Sequence, residues 1–319
     1  MDYFAKIVGQ DTAIDLLKSS INNNRINHAY LFLGHNGTGK MATALAFAKQ
    51  VIGISDKDAH VFWQEGVHPD VMLIEIMEGK TRILREQIAK EMEPWLNFKP
   101  YRAKHKIVII RDSHLLGDEA ANALLKTLEE PPPYAVIILV ADQESLLKTI
   151  ISRCQMVRFF PIREDILANY LIDLDIESKL ANEVAKLAQG NMALAHKFLA
   201  DQNFLSKWQT ARGMLVKLNT LDISQIFAVA AKLNEDYDIY IIMFLIMLRD
   251  ILVYRTSNSK ELVIMPENID LANDLAIRDV NKLPDTIKNI NNLKGYYQRY
   301  VNSKLISNNI AIEIWHSFN

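Results

Sequence analysis

The segment Gly34-His35-Asn36-Gly37-Thr38-Gly39-Lys40-Met41 has a spacing that could cradle a phosphate. Glycines there let backbone N–H groups close around an anion, a following helix adds the positive end of its dipole, and Lys40 can reach terminal phosphates. Met41 departs from the pattern. It puts a thioether where a hydroxyl would bind Mg²⁺, a hard cation that prefers oxygen. Two readings stand: a loop that binds ATP or phosphate weakly without metal, and a glycine-rich turn between strand and helix. A metal site would also need Asp-Glu at the end of a neighbouring strand. The apolar run Ile107-Val108-Ile109-Ile110 ends instead in Arg111-Asp112. A cation at that place repels Mg²⁺, and no better-placed Asp is evident from the sequence.

These residues need a sheet to hold them. Ala29–Leu33, Lys106–Ile110 and residues 135–140 read as buried strands of a parallel sheet, with 71–75 as a weaker fourth. Helical patterns lie between them. Residues 42–51 follow the glycine-rich loop, and residues 118–130 place Ala121, Leu124, Leu125 and Leu128 on one face before Pro131-Pro132-Pro133 stops the helix. Alternating strands and helices predict an α/β layer. Beyond Pro161 only helical periodicity remains, at 166–172, 179–188 and 192–199, and a polar stretch at 200–207 marks a junction. The expected division is an α/β domain over 1–162, a small helical domain over 163–207 and an all-α domain over 208–319.

Composition narrows the function. The chain has 319 residues, 50% hydrophobic and 23% charged, with a net charge of -2, which suits a globular protein and argues against one that coats nucleic acid by bulk charge. The basic cluster Arg102, Lys104, His105 and Lys106 is the place where a DNA phosphate could still be touched, although charge runs are most often solvated faces. A single cysteine, Cys154, excludes an internal disulfide and fits a reducing compartment. Met1-Asp2-Tyr3-Phe4-Ala5-Lys6 lacks the order of a secretion signal, and the longest apolar run, 239–248, is far shorter than the roughly 20 residues of a membrane span. A cytoplasmic chain with no membrane partner is expected.

Several pieces taken together resemble the bacterial DNA polymerase III clamp-loader subunits: His28-Ala29-Tyr30-Leu31-Phe32, the loop 34–40, Gly66 with His68-Pro69-Asp70, Asn122-Ala123-Leu124-Leu125-Lys126-Thr127-Leu128-Glu129-Glu130-Pro131-Pro132, and Ser152-Arg153-Cys154. They occur in the family's order across residues 7–160. The resemblance implies an AAA+ architecture, with a P-loop-type parallel-sheet domain, a small helical lid and an all-α C-terminal collar that joins five subunits in a ring. It implies gamma/tau and delta subunits as neighbours, and the sliding clamp and primed DNA as partners through the complex.

Within the family the chain is similar to the delta-prime branch, which often has lost hydrolysis. Met41 and Arg111-Asp112 replace the motor residues, the first sensor Thr falls at Val140 or Ala141, and the second sensor Arg falls at Ala193. An ATP-hydrolysing gamma/tau-like motor is the alternative, and a small-molecule P-loop kinase would leave residues 122–132 unexplained. The resemblance assigns Gly34, Gly37, Gly39 and Lys40 to a vestigial phosphate loop. It assigns Arg153 to an arginine finger acting on a neighbour's ATP, a role a planar, permanently charged fork suits. Cys154 reads as a small buried hydrophobe. No cofactor is required on this reading. The family's zinc cysteines are missing from 53–65, where His60, with His68 beyond, cannot replace thiolates, so no zinc is expected.

Overall fold

A computed structural model describes residues 2–64, 66, 68–201, 203–220, 222, 225–297 and 302–319, with 295–297 described by backbone alone. The chain forms two compact units, Met1–Ala195 and His196–Asn319.

The first unit is built on five parallel strands, β1 (Ala29–Leu33), β2 (Val71–Ile74), β3 (Lys106–Ile110), β4 (Ala135–Ala141) and β5 (Gln155–Arg158), in the order β2-β3-β4-β1-β5. The three central strands are buried along their whole length, which is why they read as continuous apolar runs. Their side chains alternate between two cores. Tyr30, Phe32, Ile107, Ile109, Val136, Ile138 and Val140 face the core that includes residues of α1 (Asp11–Asn22) and α2 (Lys40–Gly53). Leu31, Leu33, Val108, Ile110, Ile137 and Leu139 face the other. That second core also takes residues of a π-helical turn, Gln87–Met92, and of a long helix, Asp118–Glu129.

Short helices α3 (Ala59–Gln64) and α4 (Glu93–Asn97) precede that long helix, α5, and α6 (Lys148–Ile151) leads into β5. Next come α7 (Glu164–Ile172), α8 (Ser178–Ala188) and α9 (Met192–Ala200), the last of which runs across the boundary between the units. The first unit thus includes α7 and α8, and the next helix begins at Phe204, within the stretch read as a polar junction.

The second unit contains α10 (Phe204–Thr220), α11 (Ile226–Glu235), α12 (Tyr237–Ser257), α13 (Asn268–Asp274), α14 (Leu283–Tyr297) and α15 (Ser303–Phe318). The apolar run 239–248 lies inside α12, with Ile241, Met243, Phe244, Met247 and Leu248 fully buried. Asp250, on the same helix and also fully buried, accepts hydrogen bonds from the Ile264 and Met265 N–H groups and from Asn268 Nδ2 at 2.9–3.0 Å, which ties the 264–268 segment to α12. Among the described residues no helix is long and apolar enough to cross a membrane.

Candidate functional site

Because all five strands are parallel, the segments leaving their carboxyl ends share one edge, where α/β sheets hold ligands. The loop after β1 lies there with Arg111-Asp112 after β3 and Asp142 after β4. Gly34 permits the loop's close approach to the end of β5, since a Cβ at Gly34 would stand 2.3 Å from the Phe159 carbonyl oxygen. The helix that follows starts at Lys40, two residues earlier than the sequence pattern suggests.

Lys40 is 4% exposed, and its ammonium is fully engaged. It donates to the Gly34 carbonyl at 2.7 Å and the His35 carbonyl at 2.6 Å, and it lies 2.9 Å from Asp142 Oδ1. An ammonium has three N–H donors, so none is spare. Thr38 Oγ1 donates to the His35 carbonyl and Thr43 Oγ1 to the Gly39 carbonyl. Met41 packs against the core, so its side chain serves the fold at the place where a metal would need oxygen.

Asp142 was not visible as a site residue in the sequence. With Asp112 and His114 it forms a group whose ligand-type atoms lie within 4.8 Å of one another, so a second Asp that the sequence did not make evident stands beside Asp112. Two cations already face this group. Lys40 sits on Asp142, and Arg111 Nε lies 3.7 Å from Asp112 while its Nη1 donates to Glu75 at 2.8 Å. His114 Nδ1 is taken as well, accepting from the Asp142 N–H at 3.3 Å. Val140 and Ala141, the expected sensor positions, are buried strand residues, and Ala193 is exposed at the start of α9. The group does not fit a nucleotide-bound Mg²⁺ as it stands, because Arg111 and Lys40 occupy the electrostatic role of the ion.

Arg153 is placed differently. It follows α6 on the surface of the unit, with its side chain 35% exposed. Its Nη1 donates to the Thr149 carbonyl at 2.9 Å and its Nη2 to Glu129 Oε1 at 2.7 Å. A guanidinium has five N–H donors, so this fork keeps capacity for an outside acceptor. Cys154 next to it packs against the α5 side of the sheet, and burial pushes its thiol up to about 12, which removes it as a nucleophile.

The segment from 53 onward, where the resemblance led zinc cysteines to be looked for, is held by hydrogen bonds and ion pairs. The Asp56 carboxylate lies 3.1 Å from His68 Nε2 and 2.6 Å from Arg102 Nε, while His68 Nδ1 accepts the Asp70 N–H. Both imidazole nitrogens are thereby used. Asp70 in turn accepts the N–H groups of Tyr101, Arg102 and Ala103 at 2.6–2.8 Å. The same geometry divides the basic cluster. Arg102 is paired with Asp56 and Asp58, and Lys106 is 4% exposed, donates to the Trp95 carbonyl at 2.6 Å and stands over the Trp95 ring. His105 is half-buried, so Lys104 alone of the four projects freely from the cluster.

Residues 9–163 match the family described as DNA polymerase III, delta subunit. Over this stretch the α/β unit is similar to the DNA polymerase III clamp-loader subunits. The chain is 30% identical over 223 residues to the DNA polymerase III subunit delta' of Bacillus subtilis, covering 66% of this chain and 64% of that protein. It is 30% identical over 204 residues to the DNA polymerase III subunit tau/gamma of Haemophilus influenzae, covering 59% of this chain and 29% of the relative. The chain therefore spans less than two thirds of the length of either. A gamma subunit-related protein of DNA polymerase III from Thermotoga maritima aligns in structure over 95% of this chain and 99% of its own, at 19% identity and a TM-score of 0.43.

Proposed function

We propose that this chain is a non-hydrolysing, delta-prime-like subunit of the DNA polymerase III clamp loader, working in the cytoplasm. In this reading it stands in a five-subunit ring between a delta subunit and a gamma/tau motor, helps load the sliding clamp onto primed DNA, and donates Arg153 to the motor's ATP. Residues 163–207 act as lid and 208–319 as collar. The observation that carries the reading is the state of Lys40, buried with its donors spent on Gly34, His35 and Asp142. The residue a hydrolase would turn toward phosphate is turned into its own loop, whereas Arg153 faces outward.

The test is steady-state ATP turnover. The isolated chain should show none above background, with or without primed DNA. A complex reconstituted with the gamma/tau and delta subunits of the same source should lose turnover when it carries Arg153→Ala, with assembly checked by gel filtration. Arg153→Lys should restore little, because an ammonium lacks the planar fork. Metal-dependent hydrolysis by the isolated chain, abolished by Lys40→Ala, would favour the motor reading. That reading draws support from the carboxylates Asp112 and Asp142 and from the match to tau/gamma.

A further inference from the structure

The turn between α8 and α9 meets the phosphate loop directly. The Met192 N–H donates to the Gly37 carbonyl at 2.9 Å. Asn191 lies against the Cα of Gly37 so closely that a Cβ built there would fall 1.7 Å from Asn191 Oδ1. Asn191 Oδ1 also accepts the Leu194 N–H at 2.9 Å, which caps the first turn of α9 and fixes the side chain's direction. On the other side of the turn, Gly190 takes φ +78° and its carbonyl accepts the Ile162 N–H at 3.0 Å. A Cβ at Gly190 would stand 2.6 Å from the Ile162 backbone. The turn is thus held at Ile162 and again at Gly37, while Lys40 below is closed by Asp142.

We infer that the chain's own Gly190–Met192 turn is seated on this phosphate loop at Gly37 whether or not nucleotide is present. In a nucleotide-driven domain, phosphate links the loop to the helices that cover it, so their position follows the nucleotide. Here a backbone hydrogen bond and a van der Waals fit make that link without a ligand, and Lys40 has no free donor to recruit one. The inference does not depend on the role proposed for Arg153. A chain that never hydrolyses ATP could still release the turn on binding it, so the two ideas fail separately.

Amide hydrogen exchange in the full chain tests this, with ATP, ATP plus Mg²⁺ and inorganic phosphate as probes at millimolar concentration. The Met192 amide should be protected, with protection unchanged within about twofold by any probe. Gly37→Ala should raise its exchange by roughly tenfold or more, because the new methyl collides with Asn191. Gly39→Ala is the control, since Gly39 also has a positive φ, +90°, yet nothing lies within 4 Å of a Cβ there. Gly39→Ala should leave Met192 protected. A change in wild-type protection on adding ATP overturns the inference, and this arm needs no variant to fold. A protected Met192 in Gly37→Ala overturns it too, as would equal loss in both variants, which would make backbone strain the cause.

Discussion

The phosphate loop and the Arg153 corner hold two cations in opposite conditions. Lys40 is almost fully buried and meets one carboxylate and two carbonyls of its own unit, whereas Arg153 is about one-third exposed and commits two of its five N–H donors, one on each terminal nitrogen. Both residues belong to motifs for which the sequence resemblance implied action on phosphate. The contrast shows that a motif's residue type does not set its direction of action. What decides is whether the surrounding carbonyls and carboxylates already consume the donors.

The comparison breaks most visibly in the assembled complex. Arg153→Ala should lower ATP turnover there on the order of 10³-fold, the lower end of what an arginine finger supplies, while Lys40→Ala in this chain should leave turnover unchanged once assembly is matched. Equal effects from both substitutions would erase the distinction. A second large effect lies beside Arg153. Cys154 should react with iodoacetamide near pH 8 on the order of 10³-fold slower than a free thiol, because burial leaves almost no thiolate; fast labelling would mean that this corner opens readily.

Stability sharpens the contrast next. Lys40→Ala should cost about 2–3 kcal/mol in urea unfolding, less than a fully buried pair because Asp142 is partly solvated. Arg153→Ala should cost under about 1 kcal/mol, as an exposed pair does. The smallest effect concerns pH. The Arg102 guanidinium, hydrogen-bonded to Asp56, holds that carboxyl well below the usual carboxylate range, with His68 assisting. A depressed carboxyl contributes stability above its unfolded value, about 3.9, which is lost as pH falls toward the folded value. Arg102→Gln should therefore lower Tm at neutral pH, and its gap from the wild type should narrow between pH 5 and pH 2. A gap that stays constant would remove Asp56 from the account.

Much of the sheet was legible because its central strands are buried on both faces. Leu31, Ile109 and Ile138 sit in unbroken apolar runs that no other element of that length explains. β5 escaped notice because Gln155-Met156-Val157-Arg158 is a short edge strand of mixed polarity, with Val157 alone buried. Gly34, Gly37, Gly39 and Lys40 were readable as a local spacing. Asp142 and Asn191 were not, since each meets the loop only through the fold: one across neighbouring strands, the other from a turn some 150 residues downstream. The partners of the basic cluster were hidden for a related reason. Charge can be counted from sequence, but the inward course of Lys106 and the carboxylates waiting for Arg102 depend on tertiary placement.

The loop after Pro100 can also be seen as anion chemistry. Three consecutive amides, those of Tyr101, Arg102 and Ala103, turn toward one fully buried carboxylate, that of Asp70 at the threshold of β2. Such a concave run of N–H groups is a nest, a shape that elsewhere receives phosphate from solution. This nest already contains its anion, supplied from within and held by a neighbouring strand. An outside phosphate would have to evict a carboxylate from three short hydrogen bonds. The path of these three residues is therefore registered to β2, so that the exposed rings of Phe98 and Tyr101 border a segment whose course follows the sheet.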